Sequence, residues 1–145
     1  MGARYDVVVV GAGHAGCEAA LAAARMGCAV AVVTLCRERI AEMPCNPSIG
    51  GIGKGHLVAE IDALGGVQGW AADRSGIQFK VLNASRGPAV RGPRSQCDKK
   101  RYSELMRRLL ERVRGIDLWE GEVEGLVLQD GGVAGVRTGC ISKRR

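Results

Sequence analysis

The feature that most constrains the fold of this chain is a glycine pattern near its start, together with the segments on either side of it. A valine-rich run, residues 5–10, precedes the pattern and is typical of a strand buried on both faces of a parallel sheet. An alanine-rich segment, residues 17–26, predicts a helix that ends at Gly27. The apolar run 28–35 follows, so residues 5–35 predict a β-α-β unit with a right-handed crossover.

The glycine pattern lies where such a unit binds the phosphates of a dinucleotide. The first glycine permits a tight turn, the second lets a pyrophosphate approach the backbone, and the third lets helix and strand pack closely. The helix that begins near His14 adds backbone N–H groups and a partial positive charge. A glycine turn that serves only packing is the alternative, but the order of strand, turn and helix favours binding. The candidate pyrophosphate-binding residues are Gly11, Ala12, Gly13, His14, Ala15 and Gly16.

The end of the second predicted strand bears on the choice between NAD and FAD. An NAD site usually has an acidic residue there to hold the ribose hydroxyls, whereas this chain has Thr34. Thr34 is the candidate for one hydrogen bond, and Glu38 would have to fold back to reach the same place. The pattern therefore weakens a plain NAD dehydrogenase. A predicted hairpin over residues 123–138 favours FAD, by analogy with flavoproteins that carry a β-meander insertion.

The middle of the chain predicts irregular structure around short elements. Proline and glycine make residues 36–56 an irregular loop, which leads into a helix over residues 57–64. A short strand over residues 77–82 and a loop over residues 83–93 follow. These elements extend an α/β pattern rather than start a repeat.

Two features of the chain look like functional sites, but we do not expect either of them to act as one. Residues 50–55 are similar to a P-loop, but the chain has Ser48 and Gly55 where that motif needs a glycine and a Ser or Thr. A kinase or GTPase site is therefore not expected. His14 and His56 lie in glycine-rich turns with no carboxylate pattern nearby, so we expect solvated side chains rather than proton-transfer groups.

The last third of the chain predicts an amphipathic helix, a strand and the hairpin. Asp98 is the predicted N-cap of the helix, and Gly115 is its predicted end. Residues 116–119 predict a strand, and Asp130-Gly131-Gly132 predicts the turn of the hairpin. The apolar face of the helix comprises Tyr102, Leu105, Met106, Leu109, Leu110 and Val113.

Composition limits the class of protein. The six cysteines contain no CxxC pair, so no metal site is predicted and the thiols are expected to be reduced. No apolar stretch approaches the ~20 residues that cross a bilayer, and residues 1–5 lack a secretory n-region. We therefore expect a cytoplasmic protein with no membrane association. The net charge is +6: residues 86–114 carry +7 and the rest of the chain −1, which indicates a basic segment joined to a nearly neutral module.

Two long runs, residues 43–58 and residues 60–66, strongly resemble the signature of the MnmG (GidA) family, and the likeness extends over residues 5–138. The resemblance implies an α/β fold: a Rossmann-like FAD-binding domain with a parallel sheet and a β-hairpin or meander insertion. It also implies a flavoenzyme that works with the GTPase MnmE. Such an enzyme adds a carboxymethylaminomethyl-type group to C5 of the wobble uridine in tRNA, with methylene-tetrahydrofolate as one-carbon donor and NADH as reductant.

The same resemblance gives roles to individual residues. The glycine pattern would hold the FAD pyrophosphate, and the backbone of Val123 would contact the adenine. Cys45 matches the first of two cysteines that the family uses in catalysis. A thiolate is reasonable there, beside Asn46-Pro47 and near Lys54, although a buried loop cysteine is the alternative.

The basic segment has two interpretations. As a functional surface, Arg86, Arg91 and Arg94 in the loop would contact tRNA or flavin phosphates. As a purely structural feature, the helix arginines would form a solvated face. Aromatic residues make up 3% of the chain, too few for the stacking platform of a free-standing RNA-binding module.

Length is the point at which the resemblance is incomplete, because family members are several times longer. We expect residues 1–138 to form a partial FAD-binding domain, incomplete at its C-terminal side, and residues 139–145 to form a divergent basic tail. The NADH site would lie beyond this chain, and a homodimer is possible. Three alternatives stay open: a truncated or frame-shifted product that retains at best weak FAD binding, a fragment completed by another chain, and a flavin- or NAD-binding module without activity of its own. Catalysis by this chain alone therefore stays undecided.

Overall fold

The computed structural model describes residues 3–143 of this chain. The chain folds as two compact units. The first, called the split unit, contains Met1–Ile40 and Arg107–Arg145, and the second, called the inserted unit, contains Ala41–Met106. Parts of two expectations, the N-terminal residues 1–2 and the end of the basic tail at residues 144–145, lie outside the described residues.

The described chain contains nine strands, four α-helices and two short 3-10 helices, Arg37–Arg39 and Pro88–Val90. The strands are β1 (Val7–Val10), β2 (Val30–Thr34), β3 (Ser48–Gly50), β4 (Gly76–Leu82), β5 (Gly92–Cys97), β6 (Ile116–Glu120), β7 (Val123–Gln129), β8 (Gly132–Thr138) and β9 (Ser142–Lys143). The helices are α1 (His14–Arg25), α2 (Lys54–Ala63), α3 (Gln68–Ser75) and α4 (Lys99–Arg112).

The split unit is built on a four-stranded sheet of order β1-β2-β6-β9. Strands β1, β2 and β6 are parallel, with Val8 beside Ala31 and Ala31 beside Asp117. Helix α1 connects β1 to β2 and ends before Gly27, whose φ of 88° suits a glycine C-cap. The predicted β-α-β unit and the α/β fold with a parallel sheet are confirmed. Strand β9 pairs antiparallel with β6, inside the segment predicted as a tail.

The burial of β1 differs from the prediction. All five residues of β2 are buried, whereas Val7–Val10 is only half-buried and Val10 is 59% exposed. The reason is position, because β1 is an edge strand of this sheet and β2 is its neighbour within residues 3–143. The prediction from the continuous valine run, that both faces of this strand are covered, was therefore wrong.

The hairpin of the split unit forms as predicted. Strands β7 and β8 pair antiparallel, from Val123 beside Thr138 to Gln129 beside Gly132. Asp130 and Gly131 have φ values of 51° and 78°. Two positive φ values in a row are the geometry of a type I′ turn, which matches the twist of the strands.

The inserted unit contains an antiparallel sheet of order β3-β5-β4 with α2 and α3. Its glycines allow backbones to approach closely. A Cβ at Gly50 would lie 2.2 Å from the carbonyl oxygen of Pro93, and a Cβ at Gly92 would lie 2.8 Å from that of Gly51. Gly50, in the glycine-rich segment 50–55, therefore has a packing explanation.

Helix α4 begins where the sequence predicted. The Asp98 carboxylate accepts hydrogen bonds from the backbone N–H groups of Lys100 and Arg101, at 2.9 and 3.0 Å. Tyr102, Met106 and Leu110 of the predicted apolar face are buried.

We expect Asp98→Ala to lower the free energy of unfolding by about 1 kcal/mol, because two helix N–H groups lose their acceptor. Asp98→Asn is the matched control, since asparagine is an equally good N-cap and should stay within a few tenths of a kcal/mol of wild type. Urea unfolding followed by circular dichroism measures both. Equal losses in the two variants would contradict the capping role.

Candidate functional site

The turn between β1 and α1 has the backbone geometry of a tight phosphate-binding turn. Gly11 has a φ of 93°, which favours glycine, and its N–H donates to the carbonyl of Val33 at 2.8 Å. A Cβ at Gly16 would lie 2.0 Å from the carbonyl oxygen of Gly11, so only glycine lets the helix pack on the turn. A Cβ at Gly13 would meet nothing within 4 Å, which leaves open space beside the backbone. The tight turn at Gly11 and the close packing at Gly16 are therefore as the motif predicts, and the open space at Gly13 leaves room for the phosphate that the motif would bind there.

The start of α1 is suited to an anion. Gly13 is its N-cap and gives no side-chain cap, and no acidic residue lies in the first turn. Burial lowers the pKa of His14, so its imidazole is neutral at neutral pH, although Glu18 acts in the opposite direction. Attraction for phosphate would therefore come from backbone N–H groups and the helix dipole. These features fit the pyrophosphate of a dinucleotide.

A cleft of about 270 Å³ lies at the carboxyl ends of β1 and β2. This is the edge where parallel α/β sheets bind ligands. The cleft brings together three residues that were predicted separately from the sequence, Gly11, Thr34 and Val123. Its lining also includes Glu122, which was not predicted as a site residue. Eight residues line it: Val10, Gly11, Val33, Thr34, Leu35, Gly121, Glu122 and Val123.

The wall of the cleft formed by the β6–β7 turn is fixed by backbone contacts. The N–H of Gly121 donates to the carbonyl of Thr34 at 2.9 Å, and the N–H of Gly139 donates to that of Glu122 at 3.4 Å. Gly121 has a φ of 153°, and a Cβ there would lie 2.5 Å from the Ile141 side chain. The turn is therefore joined to the end of β2, which explains how two segments at least 86 positions apart in sequence line one cleft.

Cys17 lies directly behind the phosphate turn and is fully buried. Its thiol donates to the carbonyl of Ala12 at 3.5 Å. Burial, with a smaller contribution from Glu18, raises the pKa of this thiol from 9.0 to about 12. Cys17 is therefore a structural thiol that supports the turn, not a reactive one.

This shift predicts a pH dependence of stability. Because the folded pKa is raised, the protonated thiol stabilises the fold fully below pH 9.0, and this contribution is lost as pH rises toward about 12. We expect a loss of up to about 1.4 kcal/mol per pH unit above pH 9.0, and Cys17→Ala should remove that slope. Urea unfolding at increasing alkaline pH tests this. Cys140→Ala, at an exposed cysteine, is the control and should keep the slope; an unchanged slope in Cys17→Ala would contradict the assignment.

Cys45 lies in the inserted unit, in the loop before β3, and is exposed. This position contradicts the alternative of a buried loop cysteine. The loop is held by two contacts to β5: Arg94 donates to the Asn46 side-chain oxygen at 3.2 Å, and the N–H of Cys97 donates to the carbonyl of Pro47 at 2.8 Å. An accessible thiol on a fixed loop is therefore available for chemistry.

The three arginines proposed for nucleic-acid contact differ in their surroundings. Arg86 and Arg91 are exposed on the loop between β4 and β5, and Arg91 donates to the carbonyl of Ala84 at 3.1 Å. Arg94 is half-buried, and it bonds both Asn46 and Gln96. Arg86 and Arg91 are therefore available to a partner, whereas Arg94 is part of the support of the Cys45 loop.

Within residues 3–143, no group of three or more His, Cys, Asp and Glu side chains could hold a metal ion. In the part of the chain that the structure describes, no helix is long and apolar enough to cross a membrane.

Comparison with known proteins gives close matches. A family model described as glucose inhibited division protein A matches residues 6–143. The tRNA uridine 5-carboxymethylaminomethyl modification enzyme MnmG of Geobacter sulfurreducens is 56% identical over 135 residues, which is 93% of this chain and 22% of that protein. The structure of Aquifex aeolicus GidA in its form I crystal matches with a TM-score of 0.92 at 51% identity, over 97% of this chain and 24% of that one.

More distant structures share the fold alone. A flavin-dependent brominase, the Bmp2 triple mutant, matches 98% of this chain and 37% of its own with a TM-score of 0.65 at 19% identity. The chain thus spans only about a fifth of the length of the relatives it matches closely. The matches therefore cover one part of each longer relative.

Proposed function

Because the chain belongs to the glucose inhibited division protein A (GidA) family, we propose that it is the part of a tRNA-modifying flavoenzyme that holds the adenosine diphosphate half of FAD. The observation that carries the proposal is the meeting of the uncapped glycine turn with the cleft at the ends of β1 and β2. The residues 1–138 would then act as a partial FAD-binding domain, with residues 139–145 as a tail.

Each part of the site would hold one part of the cofactor. The turn from Gly11 to Gly16, with Ala12, His14 and Ala15, would donate backbone N–H groups to the pyrophosphate. Thr34 would bond the ribose, and the backbone of Val123 would contact the adenine. When bound, FAD supplies hydride and electron-transfer chemistry, and NADH is the proposed reductant.

The proposed substrate is the wobble uridine of tRNA, which receives a carboxymethylaminomethyl-type group at C5. Its one-carbon unit would come from methylene-tetrahydrofolate, and the GTPase MnmE is the proposed partner, with a homodimer as the proposed assembly. Arg86 and Arg91 would contact tRNA phosphates. Such an enzyme would act in the cytoplasm.

Cys45 would act as the nucleophile on the uracil ring. Its thiolate would donate an electron pair to C6, which moves the C5–C6 π electrons toward C5 and O4 and makes C5 nucleophilic. C5 would then attack the one-carbon unit of methylene-tetrahydrofolate, and a C–N bond of the folate would break with its electron pair kept by the nitrogen. Loss of the C5 proton and of the thiolate from C6 would restore the double bond. The exposed position of Cys45 supports this role, and the Arg94 bond to Asn46 would keep the loop in place.

A chimera tests this function. Residues 6–138 would replace the aligned segment of the Geobacter sulfurreducens relative, in a strain that lacks its own enzyme, and mass spectrometry would measure 5-carboxymethylaminomethyluridine in tRNA. We expect the chimera to restore modification, Cys45→Ser to abolish it, and Cys28→Ser, at a half-exposed cysteine of the split unit, to retain it. A stable chimera that gives no modification, or a fully active Cys45→Ser variant, would contradict the proposal.

A further inference from the structure

The cleft of the split unit has few polar side chains. Of its eight lining residues, Thr34 and Glu122 carry the polar ones, and neither lysine nor arginine is among them. Any hydrogen bond from a protein side chain to a nucleoside in this cleft therefore has to come from these two residues. The acidic residue that usually lies at the end of the second strand of such a unit is absent here, where Leu35 and Cys36 follow Thr34.

Thr34 has a limited capacity for this task. It is buried, and its hydroxyl donates to the carbonyl of Cys36 at 3.4 Å. The hydroxyl oxygen can still accept, but a ribose presents two neighbouring hydroxyl donors. One oxygen is a poor match for two donors, whereas the two oxygens of a carboxylate accept both.

Glu122 is the acidic residue among those that line the cleft beside the end of β2. The Gly121 N–H···O=C Thr34 bond of 2.9 Å joins its turn to the end of β2, and the Gly139 N–H bonds the carbonyl of Glu122 itself. The residue therefore lines the same cleft as Thr34 from a fixed backbone, although 88 positions separate the two in sequence.

We propose that Glu122 is the residue that recognises the ribose diol in this cleft and makes the site select an unphosphorylated 2′-hydroxyl. The inference rests on the proposed nucleotide site and adds its specificity. The carboxylate accepts the hydrogen bonds of the two ribose hydroxyls, and its charge repels a 2′-phosphate, which no basic residue of the cleft lining would neutralise. The site thus takes FAD and other ADP-containing ligands and rejects 2′-phosphorylated ones.

Calorimetric titration of the full chain with ADP, 2′-deoxy-ADP and adenosine 2′,5′-bisphosphate tests the inference. Wild type should bind ADP about tenfold or more tightly than 2′-deoxy-ADP, because the deoxy ligand loses a hydrogen bond to a charged acceptor, and such a bond changes affinity by about that factor or more. Glu122→Gln should remove most of this preference, and Glu122→Arg should raise the relative affinity for the bisphosphate about tenfold. Asp130→Asn makes the same charge change in the hairpin turn, where asparagine tolerates the positive φ, and should behave as wild type.

The outcomes separate the inference from the function on which it rests. The inference is supported if Glu122→Gln loses the preference for the 2′-hydroxyl and Glu122→Arg gains affinity for the bisphosphate, while the urea midpoints of both variants stay unchanged. If the wild-type chain binds ADP and neither variant alters its preference for the 2′-hydroxyl, the inference is overturned and the nucleotide site stands. No binding of ADP to the folded wild-type chain overturns the nucleotide site and the inference together.

Discussion

Gly16→Ala is expected to lower the free energy of unfolding of the chain by about 2 kcal/mol. The new Cβ would lie 2.0 Å from the Gly11 carbonyl oxygen, a backbone atom that cannot move aside without opening the turn. Overpacking of this kind costs up to about 3 kcal/mol, and the better helix propensity of alanine returns about 1 kcal/mol. Urea unfolding measures the difference.

Gly13→Ala is the matched control for this prediction. It makes the same chemical change three residues earlier, where a Cβ meets nothing within 4 Å. We expect a loss below about 1 kcal/mol, the ordinary cost of alanine at an N-cap. Equal destabilisation by the two alanines would show that helix and strand do not pack through Gly16.

Gly13→Asp should have the largest effect on binding, a loss of about a hundredfold or more in affinity for FAD. Its carboxylate would enter the open space beside the turn and would repel the pyrophosphate, and a hundredfold corresponds to about 2.7 kcal/mol. It would also cap the helix N–H groups that the phosphates need. The same cap should leave stability equal to wild type or higher, because aspartate is a favoured N-cap.

Gly13→Asn separates charge from shape in this experiment. Asparagine has nearly the same size and caps a helix equally well, but it carries no charge. We expect an intermediate loss of FAD affinity by calorimetry. Unchanged affinity in Gly13→Asp would contradict the placement of the pyrophosphate at the start of α1.

Elements with strong local signals could be predicted from the sequence. The β-α-β unit has apolar strands on both sides of an alanine-rich helix, and its residues are neighbours in sequence. Helix α4 has a cap at Asp98 and a clear apolar face, and the hairpin has turn residues that tolerate positive φ. In each case local propensity and tertiary packing favour the same structure.

Strand β5 and helix α3 could not be predicted, because small or polar residues occupy their buried positions, and β3 is only three residues long. In β5 these are Gly92, Ser95 and Cys97, and in α3 they are Ala71, Ala72 and Ser75. Such residues give almost no apolar periodicity. They are buried because the backbones of the inserted unit come close together, as the carbonyl of Pro93 does to Gly50.

The candidate site was predictable only in part for a similar reason. The glycine turn is a local motif, and its three glycines lie as the motif requires. The cleft depends on the Gly121 N–H bond to the carbonyl of Thr34, a contact between distant segments that no local pattern encodes. Glu122 was therefore missed, although it is adjacent to Val123.

The most direct test of the central claim is a titration of the purified chain with FAD, followed by absorption spectroscopy and calorimetry, with FMN and NAD⁺ in parallel. The account predicts that FAD binds one to one and that FMN, which lacks the adenosine half, does not bind. Binding of NAD⁺ without FAD, or equal affinity for FAD and FMN, would contradict a site in which the turn and cleft of the split unit hold the adenosine diphosphate half of a flavin.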